Sequence, residues 1–386
     1  MSVSDPIKLG VAGLGRGFML SLPSLRHDEH VQMIACAAPR QSSRDTFFKE
    51  FDGIGYTDVK QMCEDPNIEA VYIATPHHLH RDHAIIAATN GKHVIVEKPL
   101  AINQVDADAI IKAAEDAGIY LITGPSHSFD QPIEKARQLL NSGEFGKIRM
   151  INATNYTDFL YRPRRPEELD TEQGGGVVFS QAIHQIDVVR SLVQQEASSV
   201  FAMTGAWDPA RPTEGAYACI INFVDGSFAN LTYSGYAHYD SDSDLGWIGE
   251  LGYRKNQRNY GKARAALAKI SSKENEAVLK TNRSYGSAEV PDPAPFAEHF
   301  GPVIVSCDKA DLRLTPKGVE VWGDITRSFH STPPAPTPRS PVFKAMYDAV
   351  RSNTPPLQAG RWGADSLKIC HAILKSATTK KIIKLT

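Results

Sequence analysis

The stretch IKLGVAGLGRGFMLSLPSL, residues 7–25, decides the fold of the first part of the chain. An apolar run leads into a turn rich in glycine, and a helical pattern follows the turn directly. Such a turn lets backbone N–H groups approach a pyrophosphate, whose charge the positive end of the helix stabilises. A tight strand-to-helix turn without a ligand would look the same, so the motif alone predicts only a βα unit that can bind a dinucleotide.

The turn departs at one place from the dinucleotide fingerprint G-x-G-x-x-G. Gly13 and Gly15 take the first two glycine positions, but Phe18 stands at the third and Gly17 comes one residue early. Its location at the first turn of an alternating strand–helix chain supports dinucleotide binding. We therefore expect cofactor contacts from Gly13, Gly15, Arg16, Gly17 and Phe18.

Apolar runs and amphipathic stretches alternate through residues 1–124. Helical periodicity is clearest in residues 82–89 and 105–117, where apolar side chains recur at i, i+3 and i+4. Strands that alternate with helices predict a parallel sheet built from right-handed βαβ units. We predict an α/β Rossmann dinucleotide-binding domain over residues 1–124, with strands at residues 7–12, 32–37, 70–74, 93–96 and 120–122.

The end of the second predicted strand bears on the choice of cofactor. An acidic residue there would accept hydrogen bonds from the adenosine ribose of NAD, but Ala38 occupies this place. Arg40, together with Ser42 or Arg44, could bind the 2′-phosphate of NADP. The sequence therefore predicts NAD or NADP as the cofactor, with a slight preference for NADP.

Two further motifs follow later strands, ATPHHLH at residues 74–80 and VEKPL at residues 96–100. Ligands of open parallel sheets bind outside the carboxyl ends of the strands, so both motifs should face the cofactor, although Lys-Pro pairs are also common in surface turns. The HHxH spacing is weak evidence for a metal, and we predict none. The expected cofactor contacts here are Thr75, Pro76, His77, His80, Glu97, Lys98 and Pro99.

Residues 125–386 predict a different architecture. Asp225-Gly226, between two runs rich in β-formers, is a strong hairpin signal. We predict an α+β substrate-binding and oligomerisation domain with a large, mostly antiparallel sheet, whose outer face could pair with a second subunit in a homodimer or homotetramer. Helical patterns cover residues 132–141, 177–193, 342–352 and 364–377, and strand candidates cover residues 148–156, 199–206, 217–224 and 228–236.

An insertion around residues 239–300 interrupts the second domain. Nine Lys and Arg residues lie between Tyr253 and Arg283, against Glu274 and Glu276. Runs of charge are usually solvated surface, but this one could also attract an anionic substrate or a cofactor phosphate. Residues 331–341 contain five prolines and predict an extended connector.

Composition excludes several classes of protein. The chain has 386 residues, with 42 Lys and Arg against 44 Asp and Glu, and this near-neutral balance argues against nucleic acid as the main partner. The five cysteines are far apart and form no CxxC pair, which predicts neither a disulfide framework nor a zinc site. The N-terminus has no signal-peptide pattern and no window predicts a membrane span, so we expect a cytoplasmic protein.

The chain resembles the glucose–fructose oxidoreductase and inositol dehydrogenase family in four motifs taken together. These are the glycine turn, ATPxxxH, EKP and GGGVVFSQAIHQID (residues 174–187). Within that family, HSFDQP (residues 127–132), YRPRRPEELDTEQGGGV (residues 161–177) and residues 306–324 are most similar to a subgroup that oxidises carboxylated cis-dihydrodiols. The resemblance implies a nicotinamide-dependent oxidoreductase. Its alternatives are a sugar or inositol dehydrogenase of the same family and a non-catalytic NAD(P)-binding sensor.

The resemblance also implies two catalytic residues, the EKP lysine and a histidine of the second domain, here Lys98 and His184. A partly desolvated lysine beside a positively charged nicotinamide can exchange a proton near neutral pH. Many relatives carry an aspartate four residues before the histidine, where this chain has Ser180. Asp187 could orient the imidazole in its place, or it could be a carboxylate on the helix surface.

The candidate substrate contacts lie before this helix, with three arginines on the loop of residues 156–170, and within it. Arginines present forked donors that suit adjacent carboxylates, so an anionic small-molecule substrate is expected. The alternative is that the arginines pair with Glu167, Glu168 or Asp170 on the same loop. The candidates are His127, Tyr161, Arg162, Arg164, Arg165, Ser180 and His184.

Overall fold

The computed structural model describes residues 5–385, except residues 271, 283, 288–291, 293 and 334–338. The chain forms two compact units. The first comprises residues up to 125 with the described parts of 278–293 and 336–367, and the second comprises the remainder. The sequence predicts that the two later segments belong to the second domain, residues 125–386. They group with the first unit because they bond to it directly, as where the Thr123 N–H donates to the Gln358 carbonyl (2.8 Å).

The first unit is built on a six-stranded sheet. Its strands are β1 (Ile7–Ala12), β2 (Val31–Ala37), β3 (Ile54–Tyr56), β4 (Ala70–Ile73), β5 (His93–Val96) and β6 (Leu121–Thr123). They are arranged in the order β3-β2-β1-β4-β5-β6, and all neighbours are parallel. This confirms the predicted parallel sheet.

Helices connect these strands as the βαβ pattern requires. Residues of β4 are buried throughout, as expected for a strand covered on both faces. Strand β3 was not predicted, because its three residues are too few and too exposed to give a periodic signal. The helices are α1 (Arg16–Leu25), α2 (Gln41–Phe51), α3 (Val59–Cys63), α4 (His80–Thr89) and α5 (Gln104–Ala117).

The second unit contains a nine-stranded sheet. Its strands are β7 (Ile148–Tyr156), β8 (Ala197–Gly205), β9 (Ala216–Phe223), β10 (Phe228–Ser234), β11 (Val303–Cys307), β12 (Ala310–Thr315), β13 (Gly318–Gly323), β14 (Arg327–Ser331) and β15 (Ile383–Lys384). The order is β14-β13-β12-β11-β7-β10-β9-β8-β15. Only the β7–β10 pair is parallel among these described strands, so the predicted mostly antiparallel sheet is confirmed.

The two faces of this sheet differ. Helices α6 (Gln131–Asn141) and α7 (Ile183–Val193) pack on one face, where they contact β12, β13 and β7. The predicted hairpin at Asp225-Gly226 joins β9 to β10. Strands β11 to β14 were not among the predicted strands, although buried and exposed residues alternate clearly along β12. The opposite face carries large exposed apolar side chains: Phe201, Met203, Ile220, Phe228, Ile304, Trp322 and Phe329.

The remaining helices lie in the predicted insertion and near the C-terminus. They are α8 (Lys262–Leu267), α9 (Lys273–Thr281), α10 (Ser340–Ser352) and α11 (Gly360–Thr379). Residues 334–338 of the predicted proline-rich connector lie outside the described residues, and residues 340–341 already belong to α10. No helix in the described part of the chain is both long and apolar enough to cross a membrane.

Candidate active site

The glycine turn, residues 13–17, lies between β1 and α1 in the first unit. Gly13 has a φ of +91°, and a Cβ atom at this position would lie 2.8 Å from the Ala74 carbonyl oxygen. A Cβ atom on Gly15, the residue before α1, would meet no atom within 4 Å. The turn is thus closed against the sheet and open at the helix N-terminus, which fits a pyrophosphate bound by backbone N–H groups.

Two neighbours of the turn explain its departure from the fingerprint. A Cβ atom on Gly17 would lie 3.3 Å from Oε1 of Glu97, the first residue after β5. This carboxylate is buried and accepts a hydrogen bond from the Tyr72 hydroxyl (2.6 Å). Phe18 is fully buried and packs edge-on against Tyr285, with 5.2 Å between the ring centroids. The third fingerprint position therefore contributes to packing through its side chain.

Two arginines, Arg40 and Arg44, follow the end of β2, and both donate hydrogen bonds to backbone carbonyls. Arg44 Nη1 donates to the carbonyls of Ala38 (2.6 Å) and Pro39 (2.9 Å). Arg40 Nη2 donates to the Tyr285 carbonyl at a longer distance of 3.3 Å. Arg40 thus keeps more of its donor capacity than Arg44 for a ligand.

The motif after β4 is tied to the motif after β5. Burial lowers the pKa of His80, and its two ring nitrogens lie 2.9 Å from the Pro99 carbonyl oxygen and 3.0 Å from that of Thr75. His77 contacts the His80 ring, with 5.6 Å between centroids. The two motifs therefore lie side by side at the carboxyl ends of neighbouring strands. They contain the predicted cofactor contacts Thr75, Pro76, Glu97, Lys98, which is half-buried, and Pro99.

In the second unit, an irregular helix start presents His184. A π-helix, residues Val178–Ala182, leads directly into α7, and π-helical segments are frequent at functional sites. Gly176 before it has a φ of +78°, and a Cβ atom there would lie 2.1 Å from Glu214 Oε1. The same Glu214 oxygen accepts from the Val178 N–H (3.0 Å), and the Ser180 hydroxyl donates to the Gly176 carbonyl.

Asp187 lies one turn after His184 and is buried. Its Oδ2 accepts from the Ser126 hydroxyl (2.5 Å) and from the Ser128 N–H (3.0 Å). These bonds fix the segment that carries His127 against α7. Asp187 is therefore a residue that holds this segment in position, and its predicted action on the His184 imidazole stays a prediction.

His127 and His184 form the centre of what we call the histidine cluster: His127, Asp130, His184, Glu250 and Phe300. The two imidazoles are in contact, with 4.8 Å between centroids, and the Phe300 ring lies 5.1 Å from His127 and 4.8 Å from His184. Nδ1 of His127 lies 2.6 Å from Asp130 Oδ2. Burial opposes charge on His127, but Asp130 and Glu250 raise its pKa to about 10, so His127 is a cation at neutral pH.

Glu250 reaches this cluster on a loop of the predicted insertion. Its Oε1 lies 3.9 Å from His127 Nε2. The loop is held by Lys255, whose Nζ bonds Asp240 (2.7 Å) and Asp242 (2.5 Å). His299 holds the same loop through two contacts. Its backbone N–H donates to the Glu250 carbonyl (3.1 Å), and its ring Nε2 lies 3.0 Å from the Ile248 carbonyl oxygen. Lys255, which belongs to the basic run, thus forms ion pairs within the fold.

Three groups of the second unit have the types and spacing of cation ligands. Ligand atoms of His127, Asp130 and Glu298 lie within 4.8 Å of one another. The direct contact between His127 and Asp130, however, already pairs a positive ring with a carboxylate. A metal would require the neutral imidazole, so the arrangement fits an ion pair better than a metal centre.

The three candidate arginines differ in what they bind. Arg162 Nε donates to Asp158 Oδ1 (3.0 Å), and the Arg162 side chain is 35% exposed. Arg164 is buried over the Phe159 ring, donates to the Phe159 carbonyl (2.8 Å) and lies 3.5 Å from Glu168. The alternative that these arginines pair within their own loop is therefore realised for Arg164.

Arg165 and Tyr161 lie at the borders of this loop. The Arg165 N–H donates to Glu168 Oε2 (2.8 Å), and its side chain is half-buried. The Tyr161 ring is covered by the guanidinium of Arg264, 4.0 Å from its centroid. Arg264, which belongs to the basic run, also donates to the Tyr236 and Ala237 carbonyls.

Four residues of these sites were not predicted from the sequence: Asp130, Glu250, Tyr285 and Phe300. Asp130 could have been found, since it stands three residues after His127 in HSFDQP. Tyr285, Glu250 and Phe300 carry no local signal, because only tertiary packing brings them to their partners. Tyr285 also donates its N–H to the Leu14 carbonyl in the glycine turn (3.2 Å).

Comparison with known proteins agrees with this geometry. Residues 7–124 match the oxidoreductase family with an NAD-binding Rossmann fold, and residues 133–253 match the GFO/IDH/MocA C-terminal domain. The chain is 42% identical over 381 residues to 1-carboxy-3-chloro-3,4-dihydroxycyclohexa-1,5-diene dehydrogenase of Comamonas testosteroni, covering 97% of this chain and 96% of that protein. The chain belongs to the GFO/IDH/MocA family. It is an NAD(P)-dependent dehydrogenase.

Two further similar proteins show how far the likeness extends. A protein of Bordetella bronchiseptica RB50 has a crystal structure that matches with a TM-score of 0.93 and 38% identity, over 98% of this chain and 100% of that one. Myo-inositol 2-dehydrogenase of Thermotoga maritima is 30% identical over 199 residues, which cover 51% of this chain and 58% of that protein. The likeness to the dihydroxycyclohexadiene dehydrogenase thus extends over nearly the whole chain, whereas the likeness to the inositol enzyme covers half of it.

Proposed function

We propose that this dehydrogenase oxidises a carboxylated cis-dihydrodiol, such as phthalate 4,5-cis-dihydrodiol, to the corresponding catechol, here 4,5-dihydroxyphthalate. The observation that carries this proposal is the full-length likeness to a relative named for a carboxylated dihydroxycyclohexadiene. Loss of two hydrogens restores an aromatic ring, which favours the reaction in this direction.

The reaction needs a hydride acceptor and a group that takes the hydroxyl proton. When bound, the nicotinamide supplies the hydride acceptor. We assign the proton transfer to Lys98, which follows β5 directly and is half-buried, because a partly desolvated lysine can exchange a proton near neutral pH. We assign His184 to orienting the reacting oxygen or relaying its proton.

The substrate carboxylates need cationic partners. We propose Arg162 and Arg165 for this role, because their side chains are only half-buried. Arg162 also bonds Asp158 of this loop through its Nε but keeps about a third of its side chain exposed. Arg164 is buried against Phe159, so we propose that it shapes the loop. A forked guanidinium matches a carboxylate in two parallel hydrogen bonds.

A substrate comparison tests the proposed function. Purified protein is assayed with phthalate 4,5-cis-dihydrodiol, with a cis-dihydrodiol that lacks carboxylates and with myo-inositol, each with NAD and with NADP. We expect kcat/KM for the dicarboxylate to exceed that for the uncharged diol by about 100-fold, as loss of charge-assisted hydrogen bonds requires. Preferred turnover of myo-inositol would establish the cyclitol alternative, which the half-length likeness to the inositol enzyme supports.

For the cofactor, we propose that the adenosine end accepts a 2′-phosphate. Ala38 offers no carboxylate to repel it, and the long bond from Arg40 to the Tyr285 carbonyl leaves that guanidinium able to turn to an anion. Arg44 cannot contribute without breaking two shorter bonds to backbone carbonyls. The proposed preference for NADP therefore depends on Arg40.

We also propose that a second copy of the chain covers the outward face of the nine-stranded sheet. Phe201 and Ile220 are paired neighbours on β8 and β9, and both are at least 40% exposed. Large contiguous apolar patches on soluble proteins mark interaction sites. Phe201→Glu should shift the mass measured by light scattering toward the monomer, whereas Val105→Glu, on exposed α5 of the other unit, should not. An unchanged mass in both variants would contradict this interface.

A further inference from the structure

The space between His127 and Glu250 has the dimensions of a hydroxyl-binding site. Nε2 of His127 and Oε1 of Glu250 are 3.9 Å apart, which is too far for a direct hydrogen bond. An oxygen placed about 2.8 Å from both atoms would make an angle of about 90° between them, a geometry that a hydroxyl group can satisfy as acceptor and donor at once. The histidine would donate to this oxygen, and the carboxylate would accept its hydrogen.

The roles of donor and acceptor are fixed by the neighbours of the pair. Nδ1 of His127 is bonded to Asp130, so Nε2 is the ring nitrogen that faces Glu250. His299 holds the backbone of Glu250, and because His299 Nδ1 accepts from the Gly301 N–H (3.0 Å), its Nε2 must carry the hydrogen donated to Ile248. Asp130 thus orients the His127 ring, and His299 fixes the Glu250 backbone. A preorganised binding site requires such supporting contacts.

The charge around this pair selects a neutral polar group. Asp130, Glu250 and Glu298 lie close to His127, and Glu250 also interacts with the Arg162 guanidinium, so three carboxylates outnumber two cations. A substrate carboxylate would be repelled there, whereas a hydroxyl group can bond to both partners. The contact between the His127 and His184 rings places the pair beside the proposed catalytic histidine.

We propose that His127 and Glu250 bind a vicinal diol through the hydroxyl group that is not oxidised, and that Asp130 is the positioning residue of His127. This inference rests on the proposed function, which it deepens by naming the groups that recognise the second hydroxyl. It separates diol recognition by this pair from carboxylate recognition by the arginines.

The test compares a catechol with its monohydroxyl analogue. Binding of 4,5-dihydroxyphthalate and of 4-hydroxyphthalate is measured by calorimetry with the reduced cofactor present. Wild type should bind the diol more tightly by about 10-fold or more, the value of a hydrogen bond to a charged group. Glu250→Gln should abolish most of this preference, and the matched control Glu134→Gln, which alters a carboxylate paired with Arg137 on α6, should retain it.

The outcomes separate the two proposals. Failure of wild type to bind either phthalate would contradict the proposed function and the inference with it. Normal binding together with an unchanged diol preference in Glu250→Gln would overturn the inference alone, as would an equal loss of affinity for both ligands. Because Glu250 is on a loop and a third exposed, this variant tests the pair without removing a buried charge.

A pH series tests the positioning role of Asp130. The titratable groups that face His127 are Asp130, Glu250 and Glu298, with the rings of His184 and His299 nearby. In wild type the diol preference should be constant from pH 6 to 8. In Asp130→Asn, His127 loses its main counter-charge, so the preference should fall over this range as the ring loses its proton. A preference in Asp130→Asn that does not depend on pH would overturn this role.

Discussion

The glycine turn of the first unit and the histidine cluster of the second unit hold their functional groups by different means. The glycine turn uses consecutive residues and offers backbone N–H groups, so its shape depends on the positive φ of Gly13 and on free space at Gly15. The histidine cluster uses side chains from four separate segments, and its shape depends on ion pairs and ring contacts. The turn should therefore be sensitive to one added methyl group, and the cluster to loss of charge.

The largest effect should come from Lys98, because it carries the proposed proton transfer. Lys98→Ala should lower kcat by about 10²–10⁴-fold, the usual contribution of a general acid or base. Cofactor binding, followed by fluorescence of the reduced nicotinamide, should remain measurable. Lys112→Ala, on an exposed surface of α5, is the control, and a loss below about tenfold in Lys98→Ala would defeat the assignment.

The second-largest loss of kcat should come from replacing His184. His184→Ala should lower kcat by about 10²-fold, the low end of the range for acid–base groups. Ser180→Ala should change it much less, since the Ser180 hydroxyl bonds the Gly176 carbonyl of its own helix start. Equal effects in the two variants would contradict a role that is specific to the imidazole.

The charge of the histidine cluster should appear in the pH dependence of stability. Asp130 and Glu250 raise the pKa of His127 to about 10 against the opposing effect of burial. A raised pKa in the folded state stabilises the protein below the unfolded value, and this contribution is lost as pH rises toward the folded value. The unfolding free energy of wild type should therefore fall between pH 7 and 9 by about 1 kcal/mol per pH unit more than that of His127→Asn. Parallel curves in urea unfolding would show that His127 is neutral in the fold.

The glycine turn offers a matched pair of methyl additions. Gly13→Ala should lower the unfolding free energy by about 1–3 kcal/mol, because the new Cβ atom strains a left-handed residue and meets the Ala74 carbonyl. Gly15→Ala should leave the thermal midpoint unchanged and weaken cofactor binding instead, since its Cβ atom meets only open space. A fall in stability in Gly15→Ala, with cofactor affinity retained, would mean that the open side is not the pyrophosphate site.

The smallest effect should come from Arg40. Arg40→Ala should weaken NADPH binding by about 3–5-fold and leave NADH binding unchanged, because a partly exposed ion pair contributes about 1 kcal/mol or less. Lys49→Ala, at the far end of α2, is the control. Equal losses for both cofactors would contradict a contact to the 2′-phosphate.

The fold was predictable where periodicity is strong and local. Both sheets and most of their helices followed from apolar spacing and from the Asp225-Gly226 hairpin. β3 was missed because it is short and exposed, and residues 303–331 gave four strands that were not predicted. The grouping of residues 278–293 with the first unit has no local signal, because it arises from contacts with residues more than 200 positions earlier, such as that between Tyr285 and Phe18.

The candidate residues divide in the same way. The sequence by itself determined the glycine turn, the strand-end motifs with Lys98, and the helix with His184, because each depends on spacing within a few residues. Only the tertiary structure decided that Arg164 bonds within its own loop, that Asp187 holds the segment before α6, and that Glu250 faces His127. Charge pairs of this kind depend on distances between side chains far apart in the chain, and such distances exist only after the sheet and its helices have packed.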